Sequence, residues 1–118
     1  DYIAEVILLV NQERAKEGLA ALQTNDAITG AAQTRAEELP TLFDHTRPDG
    51  SSCFTALDEA GVRYWTAGEN IAAGYSTPEQ VVEGWMNSTG HRANILSSSF
   101  TTIGVGREGN YWVQLFTA

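Results

Sequence analysis

The sequence contains few cysteine, proline and basic residues. Its single cysteine, Cys53, has no partner for an internal disulfide, so cysteine usage says nothing decisive about the compartment. Seven Lys and Arg stand against 15 Asp and Glu, for a formal net charge of −8, and the basic residues are scattered singly. Because phosphate binding depends on clustered positive charge, this pattern argues against nucleic acid and against a polyanionic membrane surface as partners.

Long apolar runs are also missing. The longest, Val6 to Val10, is far too short to span a bilayer, so we expect no transmembrane segment. The chain has no initiator Met and no basic region before an apolar stretch, which is typical of a mature or truncated chain and is no evidence for a cytoplasmic location. With 118 residues, 42% of them apolar, residues 1–118 are expected to form one domain without metal or disulfide staples.

Apolar residues at helical spacing predict two helices in the first third of the chain. The first runs from about Tyr2 to Glu17 and ends before Gly18. The second begins near Asn25 or Asp26 and is stopped by Pro40. Its many alanines indicate close packing against a neighbouring element.

The rest of the chain mixes short helices with extended segments. The predicted elements are a helix from Ser51 or Ser52 to Gly61, extended pieces over 62–66 and 68–75, a helix after Thr77 that Gly90 interrupts, a helical turn over 91–96, and a hairpin of 101–107 with 111–117. Strands do not alternate regularly with helices, so parallel βαβ winding is not supported. The pattern predicts an α+β domain in which helices cover an antiparallel sheet.

Two histidines and one glutamate are the candidate functional residues. His45 and His91 lie in polar, turn-rich segments 46 residues apart, so a shared site has to be assembled by the fold. Glu69 lies between Gly68 and Asn70, just before an apolar segment, and a carboxylate there needs a dedicated partner. Two imidazoles and a carboxylate can form a zinc site with an open position or an acid/base cluster. They can equally be structural residues that stabilise loops.

Other catalytic signatures are weak or missing. The sequence contains no Gly-x-Ser-x-Gly elbow, P-loop or dinucleotide fingerprint. Cys53 is interpreted as a buried structural thiol, with a reactive pair between Cys53 and His45 as the alternative. Arg47 and Asp49 are predicted to form a salt bridge across a turn.

A series of short motifs covers nearly the whole chain. In order they are Val10-Asn11-Gln12-Glu13-Arg14 with Gly18-Leu19, His45-Thr46-Arg47-Pro48-Asp49-Gly50, Gly68-Glu69-Asn70-Ile71-Ala72, Trp85-Met86-Asn87-Ser88, Gly90-His91-Arg92-Ala93-Asn94-Ile95-Leu96, Ile103-Gly104-Val105-Gly106 and Tyr111-Trp112-Val113-Gln114. The ordered set resembles the bacterial branch of the CAP superfamily, the cysteine-rich secretory, venom-allergen and pathogenesis-related group.

The resemblance implies a three-layer α-β-α sandwich with a central antiparallel sheet, in a secreted or cell-surface setting. Members carry a cleft lined by two histidines and two acidic residues, and the matching positions here are His45, Glu69 and His91. In eukaryotic members the second acidic residue comes three positions after the tryptophan matched by Trp85. That position is Ser88 here, so the cleft has one carboxylate fewer.

Similar proteins have been linked to divalent metals, to lipids or sterols and, in a few cases, to proteolysis. We therefore expect an extracellular or cell-surface module whose cleft binds a divalent metal such as zinc, or a small extracellular ligand or cell-surface component. The expected metal ligands are His45, Glu69 and His91, with Ser88 beside them. The alternatives are a zinc-assisted hydrolase of peptide or cell-wall material and a structural domain of a larger surface protein.

Overall fold

Side chains that favour helix starts cap three helices in the computed structural model, which describes residues 1–118. Asp1, Asn25 and Thr77 each accept a hydrogen bond from a backbone N–H in the first turn that follows them. Each cap satisfies a donor that has no partner inside its helix. The two long helices and the helix after Thr77 therefore begin where the sequence predicts.

The structure contains five helices and three strands. In chain order they are α1 (Tyr2–Lys16), α2 (Asp26–Glu38), α3 (Thr55–Glu59), β1 (Ala67–Ala73), α4 (Pro78–Met86), α5 (Thr89–Ile95), β2 (Thr102–Glu108) and β3 (Tyr111–Thr117). Gly90 does not interrupt a helix as predicted, because α4 ends before it and Gly90 lies in the first turn of α5. No helix is long and apolar enough to cross a membrane.

Helix α3 is shorter than the sequence predicts. Ser52 forms an isolated antiparallel bridge with Thr46, and the Cys53 N–H donates to the His45 carbonyl at 2.9 Å. Because the backbone of Ser52 and Cys53 bonds across this loop, it cannot form the hydrogen bonds of a helix that begins at Ser52. The same contacts hold the loop that carries His45 against the start of α3.

The predicted extended segment over 62–66 forms no strand of the sheet, and only its last residue, Thr66, pairs beside one. The Val62 N–H donates to the Leu57 carbonyl at 3.0 Å and closes the end of α3. The Trp65 N–H donates to the Ala118 carbonyl at 2.6 Å. Thr66 and Ala118 exchange backbone bonds of 3.3 and 3.1 Å in register with the β1–β3 pairing, although the strand itself spans Ala67–Ala73.

The three strands form one antiparallel sheet in the order β1-β3-β2. Ala67 lies opposite Thr117 and Ala73 opposite Tyr111, so β1 is fully paired on one side with β3 and forms one edge of the sheet. The terminal hairpin pairs β2 with β3, as the sequence predicts. The site residues of the Gly-Glu-Asn motif lie in the middle of the edge strand β1.

Helices cover both faces of the sheet. Trp112 and Phe116 pack with α1, α4 and α5, whereas Val113 and Leu115 pack with α2 and α3. Alternate residues of a strand point to opposite faces, so β3 is apolar on both sides. The result is the α-β-α sandwich that the resemblance implies, and the α+β prediction is confirmed.

Helix α2 approaches β2 closely because β2 contains two glycines. A Cβ at Gly104 would collide with the backbone carbonyl of Ile28, and one at Gly106 with that of Ala32. The alternation of glycine and β-branched residues therefore reflects helix-to-sheet contact. It also brings the buried face of α2 against the sheet that carries the site.

Adding a methyl group at Gly104 tests this contact. We expect Gly104→Ala to lower the free energy of unfolding by about 1–3 kcal/mol, since the obstructing atoms are backbone. The matched control is Gly30→Ala on the open side of α2, where a Cβ meets no atom within 4 Å. The control should raise stability by about 0.5–1 kcal/mol, because alanine favours helix. Urea unfolding measures both, and equal effects would contradict the packing.

Candidate functional site

Glu69 and Arg35 form an ion pair inside the protein. The Arg35 side chain is 0% exposed and that of Glu69 1%. The Arg35 Nε lies 2.8 Å from Oε2 of Glu69, and Nη2 lies 3.1 Å from Oε1. The prediction that Glu69 needs a dedicated partner is confirmed. The sequence held a signal for Arg35, because this arginine lies on the alanine-rich buried face of α2.

Arg35 donates hydrogen bonds to two further acceptors besides Glu69. Its Nη1 donates to Glu38 at 2.9 Å and its Nη2 to the Asp44 carbonyl at 2.7 Å. Burial lowers the pKa of Arg35, but the bonds to Glu69 and Glu38 more than offset this, so that pKa is raised. Arg35 is charged at every relevant pH and keeps a negative partner beside it.

His45 meets the same carboxylate from the loop before α3. Its Nδ1 lies 2.7 Å from Oε1 of Glu69, although the side chain is 57% exposed. Because a carboxylate paired with Arg35 accepts but does not donate, Nδ1 carries the proton of this bond. No protein group bonds Nε2, so the neutral ring keeps a free lone pair on that nitrogen.

The loop that carries His45 is held by an ion pair different from the predicted one. The Arg47 guanidinium lies 2.7 Å from Glu38 and 3.0 Å from Glu59, and Asp49 bonds Ser51 instead. The predicted turn salt bridge between Arg47 and Asp49 is therefore wrong, because α2 and α3 bring stronger acceptors to the buried guanidinium. The hydrogen bonds that the Arg47 guanidinium donates to Glu38 raise the pKa of Arg47.

Cys53 lies beside His45 and Glu69 as a buried thiol. Ligand atoms of these three residues all lie within 4.8 Å of one another. Burial, together with the neighbouring Glu69 carboxylate, raises the pKa of the Cys53 thiol to about 12. The protonated form supports the structural interpretation of Cys53, because a reactive pair with His45 requires the thiolate.

The opposite face of β1 holds α5 through Asn70. The Asn70 Nδ2 donates to the His91 carbonyl at 3.1 Å and to Gln114 at 2.9 Å. Its Oδ1 accepts from Asn94 at 2.9 Å. Neighbouring strand residues point to opposite faces, so Glu69 contacts the His45 ring on one side while Asn70 fixes the His91 backbone on the other.

Gly68 lets this arrangement close. A Cβ there would lie 2.9 Å from the Phe100 ring and 3.2 Å from the Asn94 side chain. Each residue of the Gly-Glu-Asn motif thus has a separate physical task. The glycine leaves room for Phe100 and Asn94, the glutamate orients the His45 ring, and the asparagine bonds the backbone of His91.

His91 lies in α5 and is half-buried. Burial lowers its pKa, and repulsion from the His45 ring, when that ring is protonated, lowers the pKa further. His91 is therefore mainly neutral at pH 7. Ser88 is half-buried at the N-cap of α5, and its side chain makes no capping bond.

The structure brings His45 and Glu69 into direct contact. His91 is outside the group of potential ligand atoms that includes His45, Cys53 and Glu69. A depression of about 380 Å³ opens over that group and is lined by His45, Thr46, Ser52, Cys53, Phe54 and Glu69. The ligand set of His45, Glu69 and His91 remains a prediction.

Removing the charge of Glu69 tests the buried pair. We expect Glu69→Gln to lower the free energy of unfolding by about 3–5 kcal/mol, because Arg35 then stays buried without its main counter-charge. The matched control is Glu13→Gln, which removes an exposed pair with Lys16. An exposed pair contributes at most about 1 kcal/mol. Comparable losses in the two variants by urea unfolding would refute the importance of the buried pair.

The lowered pKa of His91 predicts an acid-sensitive step in stability. The ordinary value is 6.5, so the unfolded state binds the proton first as the pH falls. The stability due to neutral His91 is complete above that value and is lost as the pH falls through the folded pKa. His91→Gln should show a smaller loss than the wild type between about pH 7.5 and 5.5 in urea unfolding. Identical losses of stability in the wild type and in His91→Gln would contradict the lowered pKa of His91.

Sequence relatives come from Bacillus. The uncharacterized protein YkwD of Bacillus subtilis (strain 168) is 44% identical over 119 residues, which cover 98% of this chain and 46% of YkwD. The uncharacterized membrane protein YlbC of the same organism is 36% identical over 114 residues, covering 95% of this chain and 33% of YlbC. The chain thus spans less than half the length of these curated relatives.

Solved structures share the fold. An extracellular protein of Bacillus anthracis str. Ames that contains an SCP domain matches with a TM-score of 0.94 and 30% identity, over 98% of this chain and 40% of that one. An outer surface protein from Borrelia burgdorferi matches with a TM-score of 0.84 and 22% identity, over 95% of this chain and 88% of that one. The second likeness concerns the fold alone.

The family model agrees with the motifs and with the fold. The model described as "CAP: Cysteine-rich secretory protein family" matches residues 7–116, which is nearly the whole chain. The ordered motifs, the α-β-α sandwich and the relatives point to the same group. The chain belongs to the CAP family of cysteine-rich secretory proteins.

Proposed function

We propose that this CAP domain is a binding module of an extracellular or cell-surface bacterial protein, and that it binds a divalent cation such as zinc through His45 and His91. The observation that carries the proposal is the contact of Glu69 with His45 Nδ1, 2.7 Å long. This contact leaves Nε2 of His45 free. Relatives described as an extracellular, an outer surface and a membrane protein support the setting.

The chemistry of the donor set fits a metal. Histidines that bind metals almost always donate their other ring N–H to a carboxylate or carbonyl, which fixes the tautomer and raises the basicity of the ligating nitrogen. Glu69 holds His45 in this way. His91 is neutral because its pKa is lowered, so its ring also has a lone pair to offer.

Glu69 itself is better suited to orient His45 than to bind the metal. Both of its oxygens already accept hydrogen bonds, from Arg35 and from His45. We therefore assign the metal to the two histidines, with Glu69 behind His45. Zinc prefers four ligands, so two positions remain for water or for a small extracellular ligand, with Ser88 beside them.

The binding function is favoured over the hydrolase alternative. A bound zinc ion would supply Lewis acidity, polarising a carbonyl or lowering the pKa of a bound water. Hydrolysis also needs a group that takes up a proton. Glu69 is committed to Arg35 and His45, and Ser88 occupies the position of the second family carboxylate, so no free carboxylate serves as the base.

Zinc titration by calorimetry on chelator-stripped protein tests the proposal. The wild type should bind one zinc ion, while His45→Asn and His91→Ala should lose binding at least about tenfold in affinity. His45→Asn is the sharper variant, because its amide replaces Nδ1 in the bond to Glu69 but offers nothing in place of Nε2. Its fold, checked by circular dichroism, should match that of the wild type.

Cys53→Ala distinguishes a metal site formed by the two histidines from one formed by His45, Cys53 and Glu69. If the two histidines bind the metal, Cys53→Ala should bind zinc like the wild type. Loss of binding in Cys53→Ala but not in His91→Ala would place the metal among His45, Cys53 and Glu69. No zinc binding by folded wild type would overturn the proposal and leave the structural-domain alternative.

A further inference from the structure

Trp65 differs from the other two tryptophans of the chain. Trp85 and Trp112 are fully buried, whereas Trp65 is 97% exposed. A tryptophan in a core removes about 150–250 Å² from water, and Trp65 contributes almost none of this. Its indole therefore does nothing for the stability of the domain and instead presents a large aromatic face to solvent.

The backbone around Trp65 is held in place. The Trp65 N–H donates to the Ala118 carbonyl at 2.6 Å, and the Ala118 N–H donates to Thr66 at 3.1 Å. The hydroxyl of the preceding residue, Tyr64, donates to Asp58 at 3.1 Å. A ligand that stacks on Trp65 would therefore meet an ordered loop and pay little to order it. A depression of about 370 Å³ opens beside the indole, next to Arg63.

A second exposed aromatic residue lies toward the far end of β1. Phe43 is 49% exposed, and its ring centroid lies 6.2 Å from that of Tyr111. Tyr111 is paired with Ala73, the last residue of β1, whereas Trp65 precedes Ala67, the first. The two ends of β1 are about 20 Å apart.

Polar groups occupy the stretch between these aromatic residues. Glu69 lies in the middle of β1 and contacts His45, and the depression over them is also lined by the hydroxyl residues Thr46 and Ser52 and by Cys53 and Phe54. Along the length of β1 the domain thus carries an exposed aromatic residue before the strand, a depression beside its middle and an exposed aromatic residue toward its far end.

We propose that Trp65 and Phe43 are stacking platforms for a neutral polysaccharide strand that lies along β1 and across the His45 depression. A pyranose ring has an apolar face of slightly positive C–H groups, which stacks on the negative face of an aromatic ring. Its hydroxyls exchange hydrogen bonds with polar groups at the centre. The inference deepens the proposed binding function, on which it rests, by naming the class of ligand.

Other occupants fit this surface less well. A protein partner buries about 800 Å² on each side around one apolar centre, but the exposed aromatic residues here stand apart, toward the two ends of β1. The net charge of −8 disfavours anionic membranes and polyanionic glycans. Neutral sugar chains escape this repulsion.

The three tryptophans make the test direct. Acrylamide reaches Trp65 and not the two buried indoles, so quenching of fluorescence reports on this residue alone. The probe is the β-1,4-linked tetramer of N-acetylglucosamine, added to the chelator-treated domain. We expect the tetramer to protect Trp65 from quenching, and calorimetry to give its affinity.

Variants then test each platform by calorimetry. Trp65→Ala should weaken binding of the tetramer at least about tenfold, Trp65→Phe should stay within about threefold of the wild type, and Phe43→Ala should weaken binding severalfold. Leu8→Ala is the matched control, since Leu8 is an exposed apolar residue of α1. It should bind like the wild type.

Several outcomes would overturn the inference. One is no binding of the tetramer by folded wild type, and another is equal affinity in Trp65→Ala. Protection of Trp65 that rises with protein concentration would indicate a second copy of the chain instead. Protection by anionic phosphatidylglycerol vesicles but not by the tetramer would indicate a membrane.

The same samples separate this inference from the metal proposal. If the wild type binds the tetramer in the presence of chelator and shows no affinity for zinc, the polysaccharide inference holds and the metal-binding proposal fails. Zinc binding with no tetramer binding would do the reverse.

Discussion

The ion pair between Arg35 and Glu69 is the contact on which the arrangement of the site depends. Removing two charges from water costs several kcal/mol for each ion. The attraction within a buried ion pair offsets this cost only when the geometry is good and further hydrogen bonds are made. Here Arg35 uses both an Nε and an Nη bond to Glu69 and reaches Glu38 and the Asp44 carbonyl as well. One guanidinium thereby connects α2, β1 and the loop of His45.

This connection explains how an exposed histidine keeps a defined position. The His45 ring projects into solvent, where burial alone would not restrict it. Its position follows from the bond to a carboxylate that Arg35 holds still, and from the backbone bond between His45 and Cys53. Asn70 has the corresponding task on the other face of β1, since it holds the backbone of His91. One strand of the sheet therefore serves both histidines.

Local patterns were sufficient for most of the secondary structure. The caps Asn25 and Thr77 and the terminal hairpin are short-range features, so they can be predicted from neighbouring residues. The prediction over 62–66 failed for most of the segment because the Val62 N–H bonds to Leu57 and closes the end of α3, and only Thr66 pairs with Ala118 beyond the end of β3. The predicted salt bridge between Arg47 and Asp49 failed for a similar reason. Glu38 of α2 and Glu59 of α3 reach the guanidinium and are more favourable partners than the nearby Asp49.

The sequence by itself determined the family, the α+β class and the need of Glu69 for a partner, and it singled out the two histidines as candidates, because motifs, periodicity and the cost of a buried charge are properties of local residues. Only the tertiary structure decided that the partner is Arg35, that Cys53 lies beside His45, and that Asn70 holds His91. These contacts join residues distant in the chain, and their energies depend on burial that arises only when α2 and α5 pack on opposite faces of the sheet.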